Sequence, residues 1–79
     1  MKWQDVVNID PEIQGGEPVF RGTRVPIESL FWHLEDGISI EEFVDHFPTV
    51  KKEQCLALLE LSSGVLKSPK TMQLYESVT

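Results

Sequence analysis

Residues 15–26 read GGEPVFRGTRVP, a stretch in which three glycines and two prolines interrupt a few apolar residues. The pair Gly15-Gly16 permits a tight or left-handed backbone that other residues resist. Pro18–Phe20 and Arg24-Val25 are candidate extended segments, and the glycine-centred triplet between them predicts a hairpin loop. Both prolines would confine these strands to the edge of a sheet. We therefore interpret as a structural turn the residues Gly15, Gly16, Pro18, Gly22, Thr23 and Pro26.

The same stretch contains two arginines whose role the pattern leaves open. A phosphate-binding loop is disfavoured because no Gly-Lys-Ser/Thr follows and because the glycines do not open a helix, where backbone amides converge on an anion. Arg21 and Arg24 therefore either pair with acidic groups of this chain or contact a partner.

On either side of this turn the sequence pattern differs. Trp3–Ile9 is a short apolar run closed by Asp10-Pro11, which predicts a strand ending in a turn. After Pro26 the apolar residues repeat with the period of a helix, and Gly37 is a suitable C-cap. This pattern predicts a first helix over residues 27–36, with one apolar face formed by Ile27, Leu30, Phe31 and Leu34.

Two further helices are predicted downstream. Ser39 precedes Glu42 by three residues, a capping box that marks the start of the second helix, and Pro48 ends it. Thr49 is expected to cap the third helix, whose apolar arc is wider than one small core requires. Part of that arc is therefore expected to face another chain, and its flanks carry Leu56 and Leu61.

The chain is expected to form one small domain over residues 1–67, because 79 residues bury only a modest core. A strand-and-turn segment (1–26) would precede a helical bundle (27–67), which makes the fold mainly α. Residues 68–79 are polar with a few apolar side chains, and this composition predicts a looser tail. We expect the tail to become ordered only on a partner.

The charge distribution favours a protein partner. The net charge is −6, and residues 27–50 contain six acids with no lysine or arginine. Such a surface repels phosphate polymers but attracts a basic protein and steers its approach. A single cysteine, no apolar run long enough for a membrane span and no leader-like start lead us to expect a soluble cytoplasmic protein.

Catalytic and metal sites are not indicated. His33 and His46 lie off the apolar faces of their predicted helices, and a metal site needs three or four converging ligands. Cys55 lies on the apolar face of the third helix, where a buried and inert thiol is expected. We therefore expect no cofactor, no metal and no enzymatic activity.

Two further groups of residues are candidate contacts. Lys51, Lys52 and Gln54 begin the third predicted helix and are placed to contact DNA phosphates or bases, although the surrounding helices are acidic. Trp32 lies roughly opposite the core face of the first helix. Its side chain either packs at the edge of the core or anchors an interface. The second role is plausible because large aromatic residues dominate binding hot spots.

The segment NIDPEIQGGEPVFRGTRVPIESLFWHLEDGISIEEFVDHFPTV resembles the bacterial family called domain of unknown function four-thirty-three, over about residues 6–62. The resemblance implies a homeodomain-like helix-turn-helix of three helices preceded by short strands. Where the family usually has Ser or Thr as the cap of the third helix, this chain has Lys51. The family's D-P-x-x-x-x-G-x-P-x-x-x-G-T-R-[IV]-P pattern is matched by Asp10, Pro11, Gly16, Pro18, Gly22, Thr23, Arg24, Val25 and Pro26.

The resemblance also implies a function. Members of this family are regarded as antitoxins of type II toxin–antitoxin modules, paired with PIN-like ribonuclease toxins. The expected partner is therefore a cognate ribonuclease toxin, in a homodimer or a heteromeric complex that also binds DNA in autoregulation. The alternative is a helix-turn-helix DNA-binding transcriptional regulator. The partner contacts we expect are Arg21, Arg24, Trp32, Leu56, Leu61, Lys67, Lys70, Leu74 and Tyr75.

Overall fold

The turn at residues 21–24 is the point around which the helices and strands assemble. A computed structural model describes residues 2–70 and residue 73. The helices are α1 (Trp3–Val6), α2 (Glu28–Glu35), α3 (Ile40–His46) and α4 (Lys52–Leu66). The two strands are β1 (Val7–Asn8) and β2 (Val19–Phe20), and a short 3-10 turn covers Gln14–Gly16. The expectation of a mainly helical protein with a short antiparallel β-hairpin near its N-terminus is confirmed.

The strand β2 lies between two other segments. It pairs antiparallel with β1, with Val7 opposite Phe20. On its other side Val19 bridges Pro26, and the Phe20 N–H donates to the Val25 carbonyl at 2.9 Å. Within the described residues the sheet has two strands, so β2 is an edge strand of it, and the segment at Val25–Pro26 adds an isolated bridge on its open side. Pro18 lacks an N–H, but it precedes the strand and contributes its carbonyl to the pairing.

The predicted structural turn is present. Gly15, Gly16 and Gly22 have φ values of 65°, 89° and 80°, in the left-handed region that glycine tolerates. Thr23 is buried, and its hydroxyl donates to the Phe20 carbonyl at 2.8 Å while accepting the Val25 N–H at 3.0 Å. The two hydrogen bonds of this buried hydroxyl therefore hold the two ends of the loop together.

The strand predicted over residues 3–9 is only partly correct, because its first half is the helical turn α1. The Lys2 N–H donates to the Asp5 carboxylate at 3.0 Å, and the Asp5 N–H donates to the Lys2 carbonyl. This local pair holds the chain in a helical turn that buries Val6 completely. The described chain therefore has four helices, and the prediction of exactly three is wrong.

The predicted helices at 27–36 and after Ser39 are confirmed as α2 and α3, and the Ser39 hydroxyl accepts the Glu42 N–H at 3.1 Å. The cap predicted at Thr49 is wrong, because α4 begins after Lys51. Val50 is buried and its N–H donates to the Phe47 carbonyl, which keeps residues 47–50 in a turn. The Gln54 side chain then accepts the Lys51 N–H at 2.9 Å.

The core takes buried side chains from every helix and from β2. Phe20 and Phe43 lie at its centre, with ring centroids 6.1 Å apart. No helix within residues 2–70 is long and apolar enough to cross a membrane. The buried core cluster consists of Val6, Phe20, Leu30, Phe43, Val50, Cys55 and Leu58.

The two hydrogen bonds of the Thr23 hydroxyl predict a large difference between two similar substitutions. Thr23→Val removes both bonds at a buried site and is expected to lower the free energy of unfolding by about 2 kcal/mol. Thr23→Ser keeps both bonds and removes one methyl group, which costs about 0.8 kcal/mol. Urea denaturation of the two variants measures this difference. A serine variant less stable than the valine variant would contradict the role of the hydroxyl.

Candidate functional site

Arg21 is exposed, yet its side chain bonds to this chain. Its Nε donates to the Gln4 carbonyl and its Nη2 to the Val7 carbonyl at 3.5 Å. Its backbone N–H donates to the Val6 carbonyl at 2.8 Å. The guanidinium therefore satisfies the Gln4 carbonyl of α1, which has no partner within the helix, and the Val7 carbonyl at the start of β1. This geometry assigns Arg21 a structural role.

Arg24, the second arginine of the turn, is exposed and forms no hydrogen bond or ion pair within residues 2–70. It borders an open surface cavity of about 490 Å³, together with Gly22 and Thr49. A neighbouring cavity shares Gly22 and Thr49 and extends to Lys51. The structure therefore brings Arg24 and Lys51, predicted for different roles, to adjoining parts of one surface, which we call the basic turn.

The other two DNA-contact candidates are engaged within the chain. The Nζ of Lys52 lies 2.9 Å from Oε1 of Glu41 on α3. This hydrogen-bonded pair lowers the pKa of Glu41 and raises the pKa of Lys52. The Gln54 amide accepts the Lys51 N–H and donates to the Arg21 carbonyl at 3.1 Å, so it joins α4 to the turn.

One side of α4 presents apolar residues between two acids. An open cavity of about 360 Å³ is lined by residues of α4 spaced by three or four positions, which places them on one face. Leu56 is 49% exposed, and Leu61 is half-buried. The sequence pattern predicts these two leucines as contacts but not their neighbours on the same face, which the helical spacing also indicates. We call this surface the α4 face; it consists of Glu53, Leu56, Ala57, Glu60 and Leu61.

The remaining predicted contacts are dispersed. Trp32 is 54% exposed on α2, which favours a contact surface over a core position. Lys67 and Lys70 are exposed beyond the end of α4. Leu74 and Tyr75 lie outside the described residues.

His33 differs from its expected position on a solvated surface, because it is half-buried. Its ring packs edge-on against Phe43 and Phe47, with ring centroids 5.1 and 5.6 Å away. Nδ1 donates to the Ser29 carbonyl at 2.6 Å, since a carbonyl can only accept. His46 is exposed, with its ring 6.2 Å from that of His33. Among the described residues no group of three His, Cys, Asp or Glu side chains converges on a metal position.

Cys55 is buried on the inner side of α4, as the apolar pattern predicts. Burial disfavours the charged thiolate and raises the pKa of the thiol to about 11. A thiol with this pKa is neutral at physiological pH and is a poor nucleophile. The structure therefore gives Cys55 a packing role.

Comparison with known proteins places this arrangement in a family. The family model described as Protein of unknown function (DUF433) matches residues 7–61. The chain belongs to this family. It is also 35% identical, over 51 residues, to the uncharacterized protein y4eO of Sinorhizobium fredii. That match covers 65% of this chain and 23% of the relative, so the chain spans about a quarter of the relative's length. No solved structure matches the chain.

The DUF433 segment includes the basic turn and the whole α4 face. It begins at Val7 and so leaves out α1, whose carbonyls Arg21 binds. It also ends before Lys67 and Lys70. The two surfaces with the clearest partner chemistry therefore lie within the segment that this chain shares with its family.

The contrast between the two arginines is testable by stability. Arg21→Ala removes the bonds to two carbonyls and is expected to lower the free energy of unfolding by about 1 kcal/mol. Arg24→Ala removes no intrachain bond and is expected to change it by less than about 0.5 kcal/mol. Urea denaturation of both variants provides the measurement. Equal losses would contradict the assignment of Arg21 as the structural arginine.

The raised pKa of Cys55 predicts slow reaction with a thiol reagent. At pH 8 the folded chain is expected to react about a hundredfold more slowly than the urea-unfolded chain, because two pKa units reduce the thiolate fraction by that factor. The Cys55 thiol binds its proton more tightly in the folded chain than in the unfolded chain. Its contribution to the free energy of unfolding is therefore present below pH 9 and is lost as the pH rises towards about 11. Equal rates in both states would contradict a buried thiol.

Proposed function

We propose that this DUF433 protein is the antitoxin of a type II toxin–antitoxin module and neutralises a PIN-like ribonuclease toxin by binding it. The observation that carries the proposal is the α4 face, an apolar helix surface flanked by Glu53 and Glu60. Neither glutamate forms an ion pair within the described part of the chain. A surface of this kind fits a partner that is apolar and basic.

A ribonuclease surface has this chemistry. An RNA-binding protein must neutralise phosphates with lysine and arginine, so its substrate groove is basic. Glu53 and Glu60 would complement that charge, steer the encounter and fix the orientation of the complex. Leu56 and Leu61 would lose water on contact and supply the apolar part of the affinity.

The basic turn provides a second element of the proposed mechanism. Arg24 has no intrachain partner within residues 2–70, so its guanidinium is free to reach outward. A ribonuclease that uses a metal holds it with carboxylates, and arginine binds carboxylates in a bidentate manner. We propose that Arg24 competes for those carboxylates, with Lys67 and Lys70 as second candidates. The proposed toxin complex is heteromeric, and Leu74 and Tyr75, which lie outside the described residues, stay predicted contacts.

The second candidate function is DNA binding, by the chain alone or within the complex. The observation that favours it is the adjoining position of Arg24 and Lys51, with Lys51 directly before α4. Lys52 and Gln54 would have to release Glu41 and the Arg21 carbonyl before they contacted DNA. Because these intrachain contacts compete with DNA, we propose DNA binding by the toxin complex rather than by the chain alone.

Co-expression with the product of the neighbouring gene tests the proposal. We expect the two proteins to purify together and the chain to suppress RNA cleavage in a nuclease assay. A gel shift on operator-proximal DNA addresses the second candidate. Tight, salt-sensitive DNA binding by this chain alone, with no effect on the nuclease, would contradict the antitoxin function and favour a regulator.

The α4 face gives this test a matched pair of variants. Leu56→Arg places a cation among the contacts for a basic partner and is expected to weaken neutralisation about tenfold or more. Leu66→Arg makes the same change at a residue that is 67% exposed on α4 and outside the α4 face. It is expected to leave neutralisation within about twofold of the unmodified chain. Equal effects of the two substitutions would exclude the α4 face as the binding surface.

A further inference from the structure

A second apolar depression lies where the chain enters α2. It has a volume of about 300 Å³, at the lower end of the range for small-ligand sites and suited to one or two side chains. Its apolar part includes Phe31 and Ile27, which are half-buried. We call this depression the entry groove; it is lined by Glu17, Pro18, Pro26, Ile27, Glu28 and Phe31.

The pairing of the turn brings two like charges together at this groove. Val19 bridges Pro26, and the Ile27 N–H donates to the Pro18 carbonyl at 3.0 Å. The next residues on the two segments are Glu17 and Glu28, which both line the groove. Neither carboxylate forms an ion pair within residues 2–70, so both remain available to a cation from a partner.

An exposed tryptophan lies beside the groove. Trp32 follows Glu28 by four residues on α2, so the two side chains share a helix face, and the indole is 54% exposed. The face of a tryptophan ring attracts a cation, and arginine is the usual partner. The groove therefore combines an apolar floor, two unpaired carboxylates and an adjacent cation-binding ring.

We propose that the entry groove binds an arginine side chain from a basic segment of a second protein. The aliphatic stem packs on Phe31 and the two prolines, and the guanidinium lies between Glu17 and Glu28, beside Trp32. Arginine fits better than lysine because its planar fork binds carboxylates in a bidentate manner and stacks on aromatic rings. A second copy of this chain is disfavoured by its net charge of −6. The proposal rests on the proposed function in assuming a basic protein partner.

The test uses the full chain and a defined probe, the acetylated and amidated peptide Leu-Arg-Arg-Leu. NMR titration is expected to shift the amides of the groove and the Trp32 indole, and added salt is expected to weaken binding. The same peptide with citrulline in place of arginine keeps the shape and removes the charge, and it is expected to lose these shifts. Equal binding of the two peptides would overturn the proposal.

Variants of the chain separate binding from folding. Glu17→Gln is expected to weaken binding of the arginine peptide about three- to fivefold, as for an exposed ion pair. Its melting temperature is expected to stay close to that of the unmodified chain, because Glu17 is exposed and forms no ion pair within residues 2–70. Glu12→Gln makes the same charge change at an exposed residue outside the groove and is expected to leave affinity unchanged. Equal weakening by Glu12→Gln would overturn the proposal.

The nuclease assay distinguishes this proposal from the antitoxin function. A chain that neutralises the nuclease but shows no charge-dependent binding of the arginine peptide overturns the groove proposal alone. A chain that binds the peptide in the groove but fails to bind or inhibit the nuclease overturns the antitoxin function alone.

Discussion

Hydrogen bonds at Arg21 join parts of the chain that are distant in sequence, and the meeting of α1, β1 and α4 at the turn depends on this junction. Its backbone N–H donates to Val6 and its guanidinium to the carbonyls of Gln4 and Val7, which secures α1 and β1. Its carbonyl accepts the Gln54 amide, which secures the start of α4. A domain this small has little core with which to replace such a junction. The turn therefore aligns the elements that bury Phe20.

This junction also separates the chemistry of the surface. Because Arg21, Lys52 and Gln54 are used within the fold, Arg24 and Lys51 are the basic residues of this region that remain available to a partner. Four acidic residues that form no ion pair within the described residues flank apolar side chains, Glu53 and Glu60 on the α4 face and Glu17 and Glu28 in the entry groove. A basic partner with apolar side chains would match both acidic surfaces.

Some features of the site follow from sequence because they depend on residues close together in the chain. The glycine and proline spacing predicts the turn, and the Ser39 cap and the helical periods predict α2 and α3 closely. The spacing of Leu56 and Leu61 likewise indicates an apolar flank on α4. By contrast, the helical turn at Trp3–Val6 depends on a local Asp5 pair that competes with an apolar run typical of a strand.

The sequence by itself determined the turn, the main helices, the buried Cys55 and the excess of acidic residues. Each of these depends on residue type and short-range spacing. Only the tertiary structure decided which arginine is structural, where His33 packs, and that Glu17 meets Glu28 at one groove. These outcomes depend on contacts between distant segments. The physical reason is that a charged or polar side chain can be satisfied by water, by a backbone carbonyl or by a partner, and only the folded packing selects among them.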